Sequence, residues 1–299
     1  PAAFDLENSA RHLLANCTLM NSIPFKALVG TRLNAADSTA RSFEVGIIQK
    51  TPAPDLSGDI RDTLARLAEE AWSLRYGMDT VEETSHAFCL PAALHARVYE
   101  SSALSAEVDL IRVQANIDLI AFDIYGFTEE DREAISQIVI DASGDAINDT
   151  EDEDDVGSLP ADVVSTLLSW AVGCAFGRFD WRLATGERKA PPAPDPFDPL
   201  PAKSPGMLPD GAEPFHAHAG ILVDDQGHPH DLARLVEEVL VRVKVAVPDD
   251  VRRWLQRDFF AFHLQRYSKS RRKAPIYWPL STTSGSYTLW IYYPSLTSQ

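Results

Sequence analysis

The 299-residue sequence is poor in cysteine and holds no CxxC pair. Cys17, Cys89 and Cys174 are odd in number, far apart and each set among apolar residues. That pattern excludes a disulfide framework and a zinc ribbon, and it fits reduced core thiols in a cytoplasmic protein. Apolar runs of membrane-spanning length are missing, and no basic-then-apolar leader opens the chain, so no membrane association is expected. The first residue is Pro1 and helix-forming sequence follows almost at once, so the chain reads as a piece of something longer. Catalytic signatures are lacking as well: there is no GxSxG, no phosphate-binding GKT loop and no HExxH. Asp180 with Glu187-Arg-Lys189 spells the letters of a metal-dependent nuclease, but the acids lie too close in sequence and at the mouth of a Pro-rich stretch.

Positive charge is scarce, with 27 Lys and Arg against 44 Asp and Glu and a net charge of −17. A polyanion repels a net anion beyond a Debye length of roughly 8–10 Å, so a surface covered uniformly by DNA is excluded. The distribution is uneven. Asp141 to Asp155 holds eight acids and no base, whereas Arg252 to Lys273 holds eight bases against Asp258 alone. The acidic run reads as a solvated loop, or as a phosphate mimic that occupies the basic site when DNA is absent. A local basic face can bind DNA whatever the total charge.

Hydrophobic periodicity predicts a helix-rich α+β fold, with short strands near residues 43–49 and 275–293 packed with helical hairpins. Four parts are expected: 1–56, a helical spacer over 57–184, a Pro-rich linker or loop over 185–214, and C-terminal helices with a β-hairpin over 215–299. Asn8 or Ser9 is placed to cap a first helix. Phe43–Gln49 reads as a strand. Ile60, Leu64, Leu67, Ala71 and Leu74 share one helical face. Leu104, Val108, Ile111, Ala115, Leu119 and Phe122 track the core stripe of the longest helix, which Gly126 ends. Thr128-Glu-Glu-Asp131 caps the next helix, and Asp231 caps another. Val251, Trp254, Leu255, Phe259, Phe262, His263 and Arg266 recur on one face of a helix that must stop before Pro275.

The histidines at 216, 218, 228 and 230 form two HxH pairs near Asp224 and Asp225. Alternate strand residues share a face and can clasp a transition metal, but an ordinary turn separates the pairs and no Cys or spaced Glu completes a pattern. No metal site is assigned. His86, beside Ser and Phe, reads as a packing residue. Arg32, Arg41 and Lys50 are scattered candidates for phosphate or base contact.

The most pointed stretch is Arg266-Tyr-Ser-Lys-Ser-Arg-Arg-Lys-Ala-Pro-Ile-Tyr-Trp278, where a basic run meets two large aromatics. Lys and Arg neutralise phosphates, and Tyr or Trp rings stack on bases or pack beneath guanidinium planes. Equally, Tyr277 and Trp278 can be core residues of a small sheet beside a solvated basic loop. Composition does not separate the two.

The wording RYSKSRRKAPIYWPLSTTSGSYTLWIYY resembles the C-terminal part of large adenine-specific DNA methyltransferases of bacterial phage-defence systems of the BREX and DISARM kind, related to single-chain type II restriction-modification enzymes. Glu82-Glu-Thr-Ser-His-Ala-Phe88, Ile117 to Asp131 and Ala171-Val-Gly-Cys-Ala-Phe-Gly-Arg178 resemble phrases of the same region, and Asn21 to Gln49 resembles the start of a target-recognition region. The resemblance implies a non-catalytic DNA-binding and target-recognition part whose partner is double-stranded DNA, with other defence proteins as further partners. Phosphate contacts are then expected from Arg252, Arg253, Arg266, Lys269, Arg271, Arg272 and Lys273, with Tyr277 and Trp278 supporting the loop or stacking. S-adenosylmethionine and adenine N6-methyl transfer are implied for a domain outside this sequence. Here the Gly-rich loop and the Pro-Pro-aromatic turn that holds a flipped adenine are both missing, Asp195-Pro-Phe197 being one proline short. Neither a catalytic residue nor a cofactor is expected in this chain. Two rivals remain: a protein-docking module of the defence complex that makes no DNA contact, and a hydrolytic domain using the His pairs and a metal.

Overall fold

The computed structural model describes residues 9–34, 45–98, 103–135, 163–269, 272–283 and 287–296. The chain divides into two compact units. The first holds Pro1–Tyr76, Ala103–Glu151 and Pro194–Asp198; the second holds Gly77–Ser102, Asp152–Ala193 and Pro199–Gln299.

Among its described residues the first unit is helical: α1 (Ala10–Asn21), α2 (Ile23–Asn34), α3 (Val45–Lys50), α4 (Gly58–Asp79, within this unit as far as Tyr76) and α6 (Ala103–Tyr125). Ser9 caps α1 by accepting from the His12 amide. Leu14 and Ala15 of α1 pack with Leu64 and Ala65 of α4, and Leu67 packs with Val113 and Ile117 of α6. Gly126 ends α6 at φ +67, and Thr128 and Asp131 exchange backbone and side-chain hydrogen bonds at the start of the helical residues 129–135.

Two expectations are corrected in this unit. Residues 45–50 are helix, not strand. A strand needs a partner, and no strand lies among the described residues of this unit; a short apolar run does not fix its own period. The stripe expected on α6 is also split: Phe122 is buried, but its other described members face outward. Val108, Ile111 and Leu119 are 66%, 70% and 55% exposed, while Val113, Ile117 and Ala121 are buried. The buried side includes Asp118, whose carboxylate accepts from the Ile23 amide at 2.8 Å and from Gln114 at 3.0 Å. A satisfied acid on the inner face made that face look polar.

The second unit is mixed. It contains α5 (Ala92–Val98), α7 (Val163–Ala175), α8 (Arg182–Thr185), β1 (Ile221–Asp224), α9 (Leu232–Arg242), α10 (Val251–Arg257), α11 (Phe259–Arg266), the short pair β2 (Ser268–Lys269) and β3 (Arg272–Lys273), β4 (Tyr277–Ser281) and β5 (Thr288–Tyr292). The three-stranded sheet is antiparallel throughout, in the order β1-β5-β4. Strand alternation turns Leu222, Tyr277, Trp290 and Tyr292 onto a core built around α7, where Leu167 to Ala175 are all buried. Phe259 sits at its centre, with ring centroids 5.1 Å from Trp290 and 5.7 Å from Tyr277. The expected strands of the C-terminal hairpin are present, and the helix expected over 251–266 is present but breaks at Asp258. The Pro-rich stretch is irregular, and Gly206 fastens it: its amide donates to Phe88 O at 2.7 Å.

Candidate functional site: a basic hairpin on a buried polar clamp

The basic stretch forms the β2–β3 pair, in which Ser268 faces Lys273 and Lys269 faces Arg272. Arg271 and the side chains of Lys269 and Arg272 lie outside the described residues. Lys273 is exposed. Both ends of the hairpin are held by α11 and the turn that closes it. Tyr267 accepts at its carbonyl from the Ala274 amide at 2.9 Å, which closes the loop. One turn earlier, His263 Nε2 accepts from the amides of Ile276 at 2.9 Å and Tyr277 at 3.3 Å. An imidazole that accepts through Nε2 is the neutral Nδ1–H tautomer. Its burial lowers its pKa to about 4, against the upward pull of the Glu83 carboxylate and with a smaller downward push from the Arg178 charge.

The Tyr267 hydroxyl enters a buried cluster. It donates to Glu83 Oε1 at 2.8 Å, Arg178 Nη1 donates to the same oxygen at 3.1 Å and to Tyr267, and Ser169 Oγ donates to Oε2 at 2.8 Å. The Arg178 guanidinium also lies 4.5 Å from the Phe179 ring centroid. Burial works against the charge on Arg178, but the tyrosine oxygens and Glu83 around it prevail and raise its pKa. Burial raises that of Tyr267, and Glu83 adds to it, so the phenol stays protonated. The carboxylate is thus satisfied by three donors, which is what a buried charge requires. Glu83, Arg178 and Tyr267 come from three of the stretches singled out in the sequence. The signal that could have found them is a single charge beside an unbroken apolar run, as in Ala171 to Arg178.

The other expected contact residues separate into two groups. Arg252 is bound by Asp224 and by Asp231 at 2.6 Å, with Gln256 on the second Asp224 oxygen, also at 2.6 Å. Asp231 is the residue before α9, as expected, but its carboxylate serves Arg252 and makes no cap bond. Arg266 reaches Thr166 at 3.3 Å and Glu82 at 3.4 Å. These two arginines are structural in their present contacts. Arg253, Arg257 and Lys273 are exposed and make no ion pair among the described residues. Of the aromatics, Tyr277 is a core residue, which leaves it the supporting role and removes stacking. Trp278 is 46% exposed on the edge strand β4, its ring 6.2 Å from that of Phe260.

Elsewhere, Lys50 and His86 are exposed; Arg41 and the Arg32 side chain lie outside the described residues. Asp180 is fully buried and paired with Arg188 at 2.8 Å and Arg182 at 3.4 Å, away from nuclease geometry. The histidines spend their ring nitrogens locally: His216 and His230 share a bond of 2.8 Å, His218 accepts from Gly220 and His228 from His230. Among the described residues no three His, Cys, Asp or Glu are placed to hold a metal, and no helix is long and apolar enough to cross a membrane. Comparison of the sequence with protein-family models and with curated proteins finds no match.

Proposed function

We propose that the chain is a cytoplasmic, non-catalytic DNA-binding part of an adenine-specific DNA methyltransferase of phage defence, with double-stranded DNA as its partner. On this reading S-adenosylmethionine and methyl transfer belong to another domain of the parent protein. One observation supports it most: in a chain of net charge −17, the strands that bound the basic stretch 268–273 rise from a base fixed by Tyr267 and His263, with Arg253, Arg257 and Lys273 exposed. A loop whose flanks are already fixed loses less entropy on binding, and its cations release counterions from phosphate.

The test is fluorescence anisotropy of the full chain with a mixed-sequence duplex across a salt series, beside the quadruple variant Lys269→Ala, Arg271→Ala, Arg272→Ala and Lys273→Ala. Affinity should fall steeply with salt, and the variant should flatten the log–log slope by about 3–4. Absence of binding by a folded chain at low salt rejects the reading. A second reading, a docking module for partner proteins, is favoured by the stripe Val108, Ile111 and Leu119 exposed on α6.

A further inference from the structure

We infer that the outer face of the β4–β5 hairpin is a stacking platform for the bases of an unpaired DNA strand, with Trp278 and Tyr293 as its two rings; this rests on the DNA-binding reading above. The register turns Tyr277 and its partner Tyr292 inward, so the next rung, Trp278 with Ile291, faces outward. On the other side of Tyr277 the ladder continues by one bond, from the Tyr293 amide to Ile276 O at 3.0 Å. Tyr293 is 70% exposed there, and Trp278 is 46% exposed. Tyr293 opens the 3-10 turn Tyr293–Ser295 directly after β5, and the bond to Ile276 keeps its backbone beside β4, on the side of the Tyr277–Tyr292 pair away from Trp278. β4 is an edge strand, so nothing in the sheet flanks Trp278 on its free side. Phe260 supports one side of the indole at 6.2 Å.

The chain that leads into this face is basic. Phe260 follows Arg257 by three residues, and Lys273 precedes β4, both exposed. The only acid between Arg252 and Lys273 is Asp258. A paired duplex hides the faces of its bases against one another and offers edges in its grooves, so exposed rings gain little from it. An unpaired strand presents those faces, and aromatic side chains on a sheet bind them with little regard to sequence.

The test uses the full chain with three labelled probes: a 20-nucleotide oligothymidylate, a mixed-sequence duplex, and that duplex with a central mismatched bubble. Trp278→Ala and Tyr293→Ala should each weaken binding to the single strand and the bubble about 10-fold or more, while duplex affinity changes less than about twofold. Trp278→Phe keeps a ring and should retain most of the affinity; Leu280→Ala, as exposed as Trp278 but without a ring, should bind as the unchanged chain does. Unpaired strands bound equally well by both ring variants overturn the inference. If duplex binding persists in that case, the DNA reading stands; loss of all DNA binding at low salt in the unchanged chain overturns both.

Discussion

The two units handle charge in opposite ways. In the first, the ion pairs sit in water: Arg11 meets Asp62 at 2.9 Å with both side chains more than half exposed, and Arg112 meets Glu70 at 2.9 Å on the surface. Its two clusters of buried residues are aliphatic, drawn from α1, α4 and α6, and its buried acid Asp118 is held by the Ile23 amide and Gln114 rather than by a cation. In the second unit charge is inside. Glu83 and Arg178 are paired at side-chain exposures of 1% and 7%, and Asp180 is fully buried. Surface pairs are worth roughly 0–1 kcal/mol, whereas stranding one partner of a buried pair costs about 3–5 kcal/mol. The units differ less in how many charges they pair than in whether those charges can be lost one at a time.

The largest expected effect breaks the buried pair. Arg178→Met leaves Glu83 without its cation and should destabilise the second unit by about 3–5 kcal/mol, against less than about 1 kcal/mol for Arg11→Met in the first. Guanidinium unfolding followed by tryptophan fluorescence reads this, because Trp170, Trp181, Trp254, Trp278 and Trp290 all lie in the second unit and Trp72 alone in the first. Equal midpoints for the two variants would dissolve the contrast.

Next comes acid. The His263 pKa is about 4 in the fold, and an unfolded imidazole titrates near 6.5. Between those values the unfolded chain binds more protons, so the stability that neutral His263 contributes falls as pH drops from about 6.5 to about 4 and is lost below it. The loss is about 3 kcal/mol at one unit per 1.4 kcal/mol. His263→Gln retains an acceptor for the Ile276 amide and cannot titrate, so its unfolding free energy should be flatter over this range. A slope identical to that of the unchanged chain would remove His263 from the acid response.

The smallest contrast lies within one helix. Ile117→Ala on the buried side of α6 should cost about 2–3 kcal/mol, and Ile111→Ser on the exposed side less than about 0.5 kcal/mol. Circular dichroism melts of the two variants compare them directly. If Ile111→Ser proves the more damaging, the exposed stripe is covered in solution.

Much of the fold was legible where local chemistry decides. Ser9, Gly126 and the Thr128–Asp131 pair acted as helix boundaries, and the aromatic alternation of β4 and β5 announced a hairpin. Legibility failed where two solutions share one pattern. Helix α6 has apolar residues on both sides, and the buried Asp118, engaged by the Ile23 amide, lends the inner side a polar look. Val45-Gly-Ile-Ile-Gln49 has strand-forming residues but no strand to join among the described residues of its unit. At the candidate site, the basic run and Trp278 could be found from residue types. Which arginines are spent on carboxylates could not, because Asp224 and Asp231 meet Arg252 only through the tertiary fold.

Gly206 carries a consequence for how such a chain can drift. A Cβ built there would lie 2.4 Å from the Cys89 carbonyl oxygen, so the backbones of two segments more than a hundred residues apart touch with no room for a side chain. Gly173 is as constrained, its Cβ falling 2.3 Å from the Phe179 ring. Gly30, Gly46, Gly58 and Gly77 face open space. In a lineage of sequences sharing this fold, the first two positions would stay glycine while the surrounding proline-rich text is rewritten, and the other four would wander. A short stretch that looks like filler would then be among the most durable marks by which a distant descendant is recognised.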